Sequence, residues 1–304
     1  MTDRTIDVAI IGGGMAGLTA GIYLKRSSLS SVVIEKGAPG GKLNNIHRID
    51  NYPATPHISG PDLAMALFNQ AMELGVELAY GSVNQVTKEG NLFLVKTDAG
   101  DYTAKAVIMA TGVETKKLGI PGEKEHEGKG VSYCATCDGN FFRGKDVAVI
   151  GNKDHAVEDV LYLSGLVHSL AFLIPEPLET NELHHNQLLA CENVTLIEGG
   201  KPLRIEGEGL VDKLAYEVNG NTKEIAICGV FPLYGEKSSS EFLSSLQPNN
   251  NKGFLICDVN MSTSVPGLFA CGDIVDKKLR QLVNAAGEAA IAATNAIVYC
   301  RNLK

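Results

Sequence analysis

Residues 6–17 read IDVAIIGGGMAG, and the reading of the whole chain starts from that stretch. The apolar run Ile6–Ile11 fits a buried strand, the glycines make a turn, and Ala16–Lys25 behind them has the residues of a helix. Gly12, Gly14 and Gly17 stand as G-x-G-x-x-G. In that spacing the first glycine permits the tight turn, the second lets a pyrophosphate approach the backbone, and the third lets helix and strand pack closely. The helix then points its N-terminal N–H groups at the phosphate. A second apolar strand, Ser31–Glu35, ends in a carboxylate 18 residues after Gly17, where it can accept hydrogen bonds from ribose hydroxyls. A glycine triplet alone also fits a plain strand–turn–helix corner. Strand, triplet, helix and acid in this order read as a dinucleotide-binding βαβ unit.

The same pattern returns in weaker form. DVAVIG at 146–151 is a second apolar strand meeting a glycine, followed by the amphipathic stretch Ala156–Leu166 and another apolar run, Ser169–Ile174. Near the end, GLFACGD at 267–273 is a short buried strand with a Gly-Asp stop, and Gln281–Tyr299 is an Ala-rich helix pattern. Two stretches read as boundaries, GIPGEKEHEGKG at 119–130 and the Ser- and Asn-rich SSSEFLSSLQPNNNKG at 238–253. The expected fold class is α/β, with two Rossmann-like, three-layer ββα domains of dinucleotide-binding type. Residues 1–115 and 246–304 form the outer domain, and 116–245 form a second domain inserted into it.

Composition bounds the function. The 304 residues are 44% hydrophobic and 20% charged, with 33 glycines, which is globular rather than disordered or collagen-like. No run of about 18 uninterrupted apolar residues is present, and the first residues lack the basic lead and cleavage site of a secretory signal, so a cytoplasmic protein without a membrane partner is expected. The 27 Lys and Arg against 35 Asp and Glu give a net charge of −8, which repels nucleic acid. Residues 116–245 hold 12 basic and 20 acidic side chains, so all of that excess sits on the inserted domain.

Of seven cysteines only Cys134 and Cys137 lie close together, as C-x-x-C. Two thiols so spaced at the entry of a helix can form a reversible disulfide, and the helix end lowers the pKa of the sulfur it faces. The competing readings are half of a zinc site or two packing cysteines. Zinc requires a second such pair or a histidine pair, and the adjacent His184 and His185 tend to point apart, so no metal site is expected. Cys191, Cys228, Cys257, Cys271 and Cys300 read as packing residues.

Taken in order, GGGMAG at 12–17, PGGKL at 39–43, DNYP at 50–53, ATG at 110–112, YCATCDG at 133–139, and TSVPGLFACGD at 263–273 followed by Arg280 and Gln281 resemble the low-molecular-weight thioredoxin reductases over nearly the whole chain. The resemblance implies FAD on the outer domain. The positions matched to its contacts are Gly12, Gly14, Ala16, Gly17, Glu35, Lys36, Gly40, Gly41, Leu43, Asn51, Val83, Ala110, Thr111, Gly112, Gly272, Asp273, Arg280, Gln281 and Leu282. It further implies that Cys137 faces the flavin, that Cys134 attacks the disulfide of thioredoxin, that Asp138 moves the proton, and that the chain is a homodimer.

The second fingerprint departs from that family. After DVAVIG the run is GNKDHA, so Lys153 stands at the second glycine position, and the next strand ends in Pro175-Glu176-Pro177 where the family carries a basic cluster for the ribose 2′-phosphate. The resemblance therefore narrows to ferredoxin-dependent flavin thioredoxin reductases, with reduced ferredoxin as electron donor. The alternatives are an NAD(P)H-dependent reductase with a remodelled site, in which Glu176 would accept from the ribose of NADH, and a non-catalytic FAD-binding regulatory protein. A ferredoxin is generally acidic, so docking is expected on the outer domain, near Lys277, Lys278 and Arg280.

Overall fold

The computed structural model describes residues 4–46, 48–238, 240–248, 250–251 and 253–303. Two compact units emerge, Met1–Glu114 with Lys237–Lys304, and Thr115–Glu236 between them. In chain order the outer unit begins with β1 (Arg4–Ile11), α1 (Met15–Lys25), β2 (Ser31–Glu35), α2 (Gly60–Glu73), β3 (Leu78–Tyr80), β4 (Val83–Glu89), β5 (Leu92–Thr97), β6 (Tyr102–Met109) and the short β7 (Val113–Thr115). The inserted unit carries α3 (Ala135–Asp138), β8 (Asp146–Ile150), α4 (Asp154–Ser164), β9 (Ser169–Ile174), α5 (Glu182–Leu189), β10 (Val194–Glu198), β11 (Lys201–Glu206), β12 (Lys213–Val218), β13 (Asn221–Ala226) and β14 (Gly229–Pro232). The chain returns through β15 (Glu236–Ser238), β16 (Asn250–Asn251), β17 (Phe254–Leu255), β18 (Leu268–Ala270) and α6 (Leu282–Asn302).

The outer sheet forks at β6. Its parallel part has the order β3-β2-β1-β6. The last residues of β6, Val107–Met109, pair parallel with β18, and its first residues, Tyr102–Ala104, pair antiparallel with β5. Strands covered on both faces must be apolar throughout, and β1 and β6 both end in four consecutive buried residues. One face packs on α1, α2 and α6. Ala285, Ala289, Ala292 and Ala296 are all buried on one side of α6, and these small side chains let it lie close against α1. On the other face Val86, Phe93 and Val95 of β4 and β5 form a second core with Ile34 and Met109.

The return to the outer unit comes at Lys237, not at 246 as the composition suggests. Leu243 is buried, with Phe242 and Leu246 packed beside it on the core that contains Val86 and Phe93, and Ser245 Oγ donates to Val86 O at 2.9 Å. Three apolar anchors among serines are enough to attach the segment.

The inserted unit repeats the three-layer plan. Its parallel sheet has the order β10-β9-β8-β14, and a separate antiparallel sheet runs β11-β12-β13. Val157, Val160 and Leu163 of α4 cover one face of the parallel sheet. Ile205, Leu214 and Tyr216 of the antiparallel strands cover the other.

Candidate functional site

At the end of β1 the glycines divide the work as their spacing requires. Gly12 has φ +105°, and a Cβ there would lie 2.5 Å from Ala110 O. A Cβ on Gly17 would come within 1.7 Å of Gly12 O, whereas one on Gly14 would meet only Gly40 O, at 3.8 Å. The middle glycine therefore faces open space. Gly14 caps α1 with no side-chain bond, and the first turn holds no acidic residue. Its orphan N–H groups fit an anionic diphosphate without competition from the chain itself. Glu35 is buried, its Oε2 accepting the N–H of Gly13 at 2.6 Å and its Oε1 that of Gly37 at 2.7 Å, so the carboxylate is held in place with acceptor capacity left.

Of the other expected positions, Gly40, Gly41, Ala16, Ala110 and Gly272 meet this turn. Gly40 and Gly41 both have positive φ, Gly40 N–H donates to Gly13 O at 2.8 Å, and a Gly14–Gly40 bridge joins the two glycine turns. Leu43 is buried just beyond, in the 3-10 turn Gly41–Asn45. Ala16 is the second residue of α1, and its Cβ is 3.0 Å from where a side chain on Gly272 would begin. Ala110 N–H donates to Ile11 O, Thr111 follows, and Gly112, at φ +63°, has nothing within 4 Å of an added Cβ. Asn51 Nδ2 donates to Gln281 Oε1 at 2.7 Å, tying the DNYP segment to the start of α6, where Leu282 is the first helical residue and, as at α1, no side chain caps the end. Arg280 Nε donates to Asp273 O, and its guanidinium lies 4.4 Å from the centre of the Phe254 ring. Val83 opens β4. Lys36 is turned to solvent in an ion pair with Glu114.

Lys277 corrects the expected docking cluster. Its ammonium is turned inward onto Glu288, with 14% of either side chain exposed, so of the three basic residues only Lys278 is freely presented to solvent.

In the inserted unit Cys134 and Cys137 form a disulfide with Cα atoms 5.3 Å apart. Cys134 is the N-cap of α3, and the N–H of Cys137 points at its Sγ, 3.2 Å away. Asp138 follows in the same turn. The buried Ser132, which the sequence did not single out, donates from Oγ to Asp138 Oδ2 at 2.6 Å and accepts the N–H of Cys134 at 3.2 Å. A serine two residues before the pair was the only trace of this in the sequence. The adjoining Tyr133 hydroxyl donates to the buried Glu123, which also accepts the N–H groups of Leu118 and Gly119. Burial, with Glu123 beside it, raises the Tyr133 pKa.

Hydrogen bonds align the second glycine turn with the first. Gly12 N–H donates to Ile34 O, and Gly151 N–H to Leu173 O. By that register Gly13, Gly14, Gly17 and Glu35 correspond to Asn152, Lys153, Ala156 and Ile174. The acid position is thus a buried isoleucine, and Glu176 lies two residues beyond it, which removes the expected likeness of Glu176 to the first unit's ribose acceptor. The segment after β9 is laid over the turn, since Glu179 N–H donates to Asn152 O at 2.7 Å and Asn152 Nδ2 to Pro177 O at 3.3 Å. Asp154 in the first turn of α4 is held by the Thr180 hydroxyl, then by His184, and these bonds lower its pKa to about 2. Asp154, Glu158 and His184 come close enough to share an ion. No basic side chain lies between Pro175 and Asn181.

The pyridine nucleotide-disulphide oxidoreductase family matches residues 6–289. Thioredoxin reductase of Bacillus subtilis is 38% identical over 306 aligned positions that cover 99% of this chain and 97% of that protein. The chain belongs to the thioredoxin reductase family. The crystal structure of a family member from Streptococcus pyogenes superposes with a TM-score of 0.95 at 37% identity, covering 99% of this chain and 100% of that one. A ferredoxin-flavin thioredoxin reductase from Clostridium acetobutylicum is also similar, at 28% identity and a TM-score of 0.55 over 98% of both chains. With the family comes its cofactor, FAD. Among the described residues no helix is long and apolar enough to cross a membrane.

Proposed function

We propose that this protein is a cytoplasmic thioredoxin-disulfide reductase in which Cys134 and Cys137 carry electrons from FAD to thioredoxin. The observation that carries this reading is the disulfide at the N-cap of α3 with Asp138 in the same turn, an arrangement a purely regulatory flavin-binding protein does not require. When bound and reduced, FAD would supply the electron pair that opens the disulfide together with two protons, which leave Cys137 a thiol and Asp138 a carboxylic acid while Cys134 remains a thiolate. Cys137 is the sulfur assigned to face it. The Cys137 N–H favours negative charge on Cys134 Sγ, which suits Cys134 to attack a sulfur of thioredoxin. The thioredoxin S–S bond breaks, and the departing sulfur takes a proton from Asp138. Cys137 then attacks Cys134 Sγ, its proton passes to the second thioredoxin sulfur, and the internal disulfide re-forms.

For the electron donor, the relatives give more support to NADPH or NADH at a remodelled site, because the family is named for pyridine nucleotides and the more similar members carry the plain name of thioredoxin reductase. One observation favours reduced ferredoxin instead. The second turn has Lys153, Ala156 and Ile174 where the first has Gly14, Gly17 and Glu35, and the segment after β9, residues 175–181, brings no basic side chain for a 2′-phosphate. Anaerobic addition of NADPH, NADH and reduced ferredoxin in turn to the FAD-loaded protein separates the donors. Bleaching of the flavin band by micromolar nucleotide selects the first reading, and bleaching by ferredoxin alone selects the second. Cys134→Ser and Cys137→Ser should each abolish thioredoxin reduction, and turnover equal to wild type in both would reject the enzyme. A homodimer is supported by the exposed line Val283, Ile291 and Val298 on α6, and light scattering that finds a monomer rejects it.

A further inference from the structure

Lys277 and Glu288 make an ion pair at 2.6 Å with 14% of either side chain exposed. The carboxylate oxygen that receives Lys277 Nζ, Oε2, also accepts the N–H of Gly272 at 2.9 Å. Gly272 sits at φ +77° and opens the turn Gly272–Ile274. Asp273 is the next residue, and its carbonyl receives Arg280 Nε. Cys271, on the other side of Gly272, is fully buried, and burial pushes its thiol up, which marks the neighbourhood as dry. In such surroundings a carboxylate that loses its cation is driven toward solvent, and Gly272 N–H would lose its acceptor with it. A glutamine offers the same acceptor without the charge.

We propose that Glu288 and Lys277 are positioning residues for the flavin: their ion pair grips Gly272 N–H and so fixes the Gly272–Asp273 turn against FAD. The proposal rests on the assignment of Asp273 and Arg280 to the FAD cradle. It also gives Lys277, an apparent surface cation in the sequence, a role inside the outer unit.

The test follows FAD release from the full-length holoprotein, as the rise of free-flavin fluorescence after dilution, with the visible band of the undiluted protein as signature of the bound environment. Lys277→Met and Glu288→Ala should each release FAD about 10-fold faster or more, and Lys277→Met combined with Glu288→Gln should recover to within about 3-fold of wild type, with the wild-type band shape. Release at the wild-type rate from both single variants overturns the proposal, and so does failure of the double variant to recover. Asp273→Ala separates the clamp from the cradle. Fast release from Asp273→Ala with wild-type release from the single variants rejects the clamp alone. Wild-type release from Asp273→Ala rejects the cradle assignment and the clamp with it. Should Glu288→Ala fail to fold, Lys277→Met and its rescue decide the matter.

Discussion

Gly14→Val is expected to remove FAD while leaving the apoprotein folded. Gly14 has φ −78° and ψ −166°, a conformation open to any residue, and an added Cβ meets nothing nearer than Gly40 O at 3.8 Å. The second unit supplies the precedent, because Lys153 occupies the matching position ahead of a well-formed α4. The folding cost is therefore that of an apolar N-cap, about 0.5–1 kcal/mol. The binding cost is larger. The valine methyls fill the space through which a diphosphate reaches the uncapped N–H groups of α1, and a hydrogen bond to a charged group contributes about 1.5–3 kcal/mol. Loss of two such bonds weakens FAD by about 3–6 kcal/mol, or roughly two to four orders of magnitude in affinity. The assay pairs FAD titration of the apoprotein, read by flavin fluorescence, with its thermal midpoint. Gly17→Ala is the contrast, because its Cβ would lie 1.7 Å from Gly12 O, and it should lower the apoprotein midpoint as well. A Gly14→Val protein that keeps stoichiometric, tightly bound FAD would refute the placing of the diphosphate at this turn.

Ser132→Ala should slow thioredoxin reduction by about 10-fold or more with FAD content unchanged, since it removes the hydroxyl that orients Asp138 and leaves Cys134 N–H without that acceptor; unchanged turnover would exclude Ser132 from the proton path. Asp154 has its pKa lowered to about 2 by Thr180 and His184. A lowered carboxyl pKa stabilises the fold above its ordinary value and loses that effect as the pH falls, so the thermal midpoint should drop between about pH 4 and pH 2, and Thr180→Val should flatten the drop. Burial pushes the Cys257 thiol up to about 12 and that of Cys300 up to about 11, and Cys271 is buried outright. With the Cys134–Cys137 disulfide intact, an alkylating reagent at about pH 8 should therefore label exposed Cys228 first, and mass spectrometry that finds Cys257, Cys271 or Cys300 modified before it would contradict the packing.

Local patterns survived into the structure where a single element carried them. The strands Ser31–Glu35 and Ser169–Ile174 have the bounds the sequence suggests, because each is an apolar run with a turn on either side. Ends set by caps moved by a residue or two, as where Lys153 rather than a residue near Ala156 caps α4. The structure departs further from local pattern where the deciding partner lies elsewhere in the chain. The Ser- and Asn-rich stretch after 238 reads as a linker until Leu243 is seen in the core with Phe93. The run Lys277, Lys278, Arg280 reads as a basic patch until Glu288, on α6, draws Lys277 inward.

The sequence by itself determined the two strand–glycine–helix units, the insertion of one in the other, the paired cysteines and the family likeness, because each is written in spacing that backbone geometry reads directly. Tertiary structure alone decided which charges are buried and which hydrogen-bond partners meet. It put Ser132 on Asp138, Glu288 on Gly272, and the segment after β9 across the second glycine turn, and it showed Ile174 in the place of an acid. The physical reason is common to the first three. A polar group leaving water must find its partner in space, and the fold, not the spacing along the chain, decides which partner is within reach.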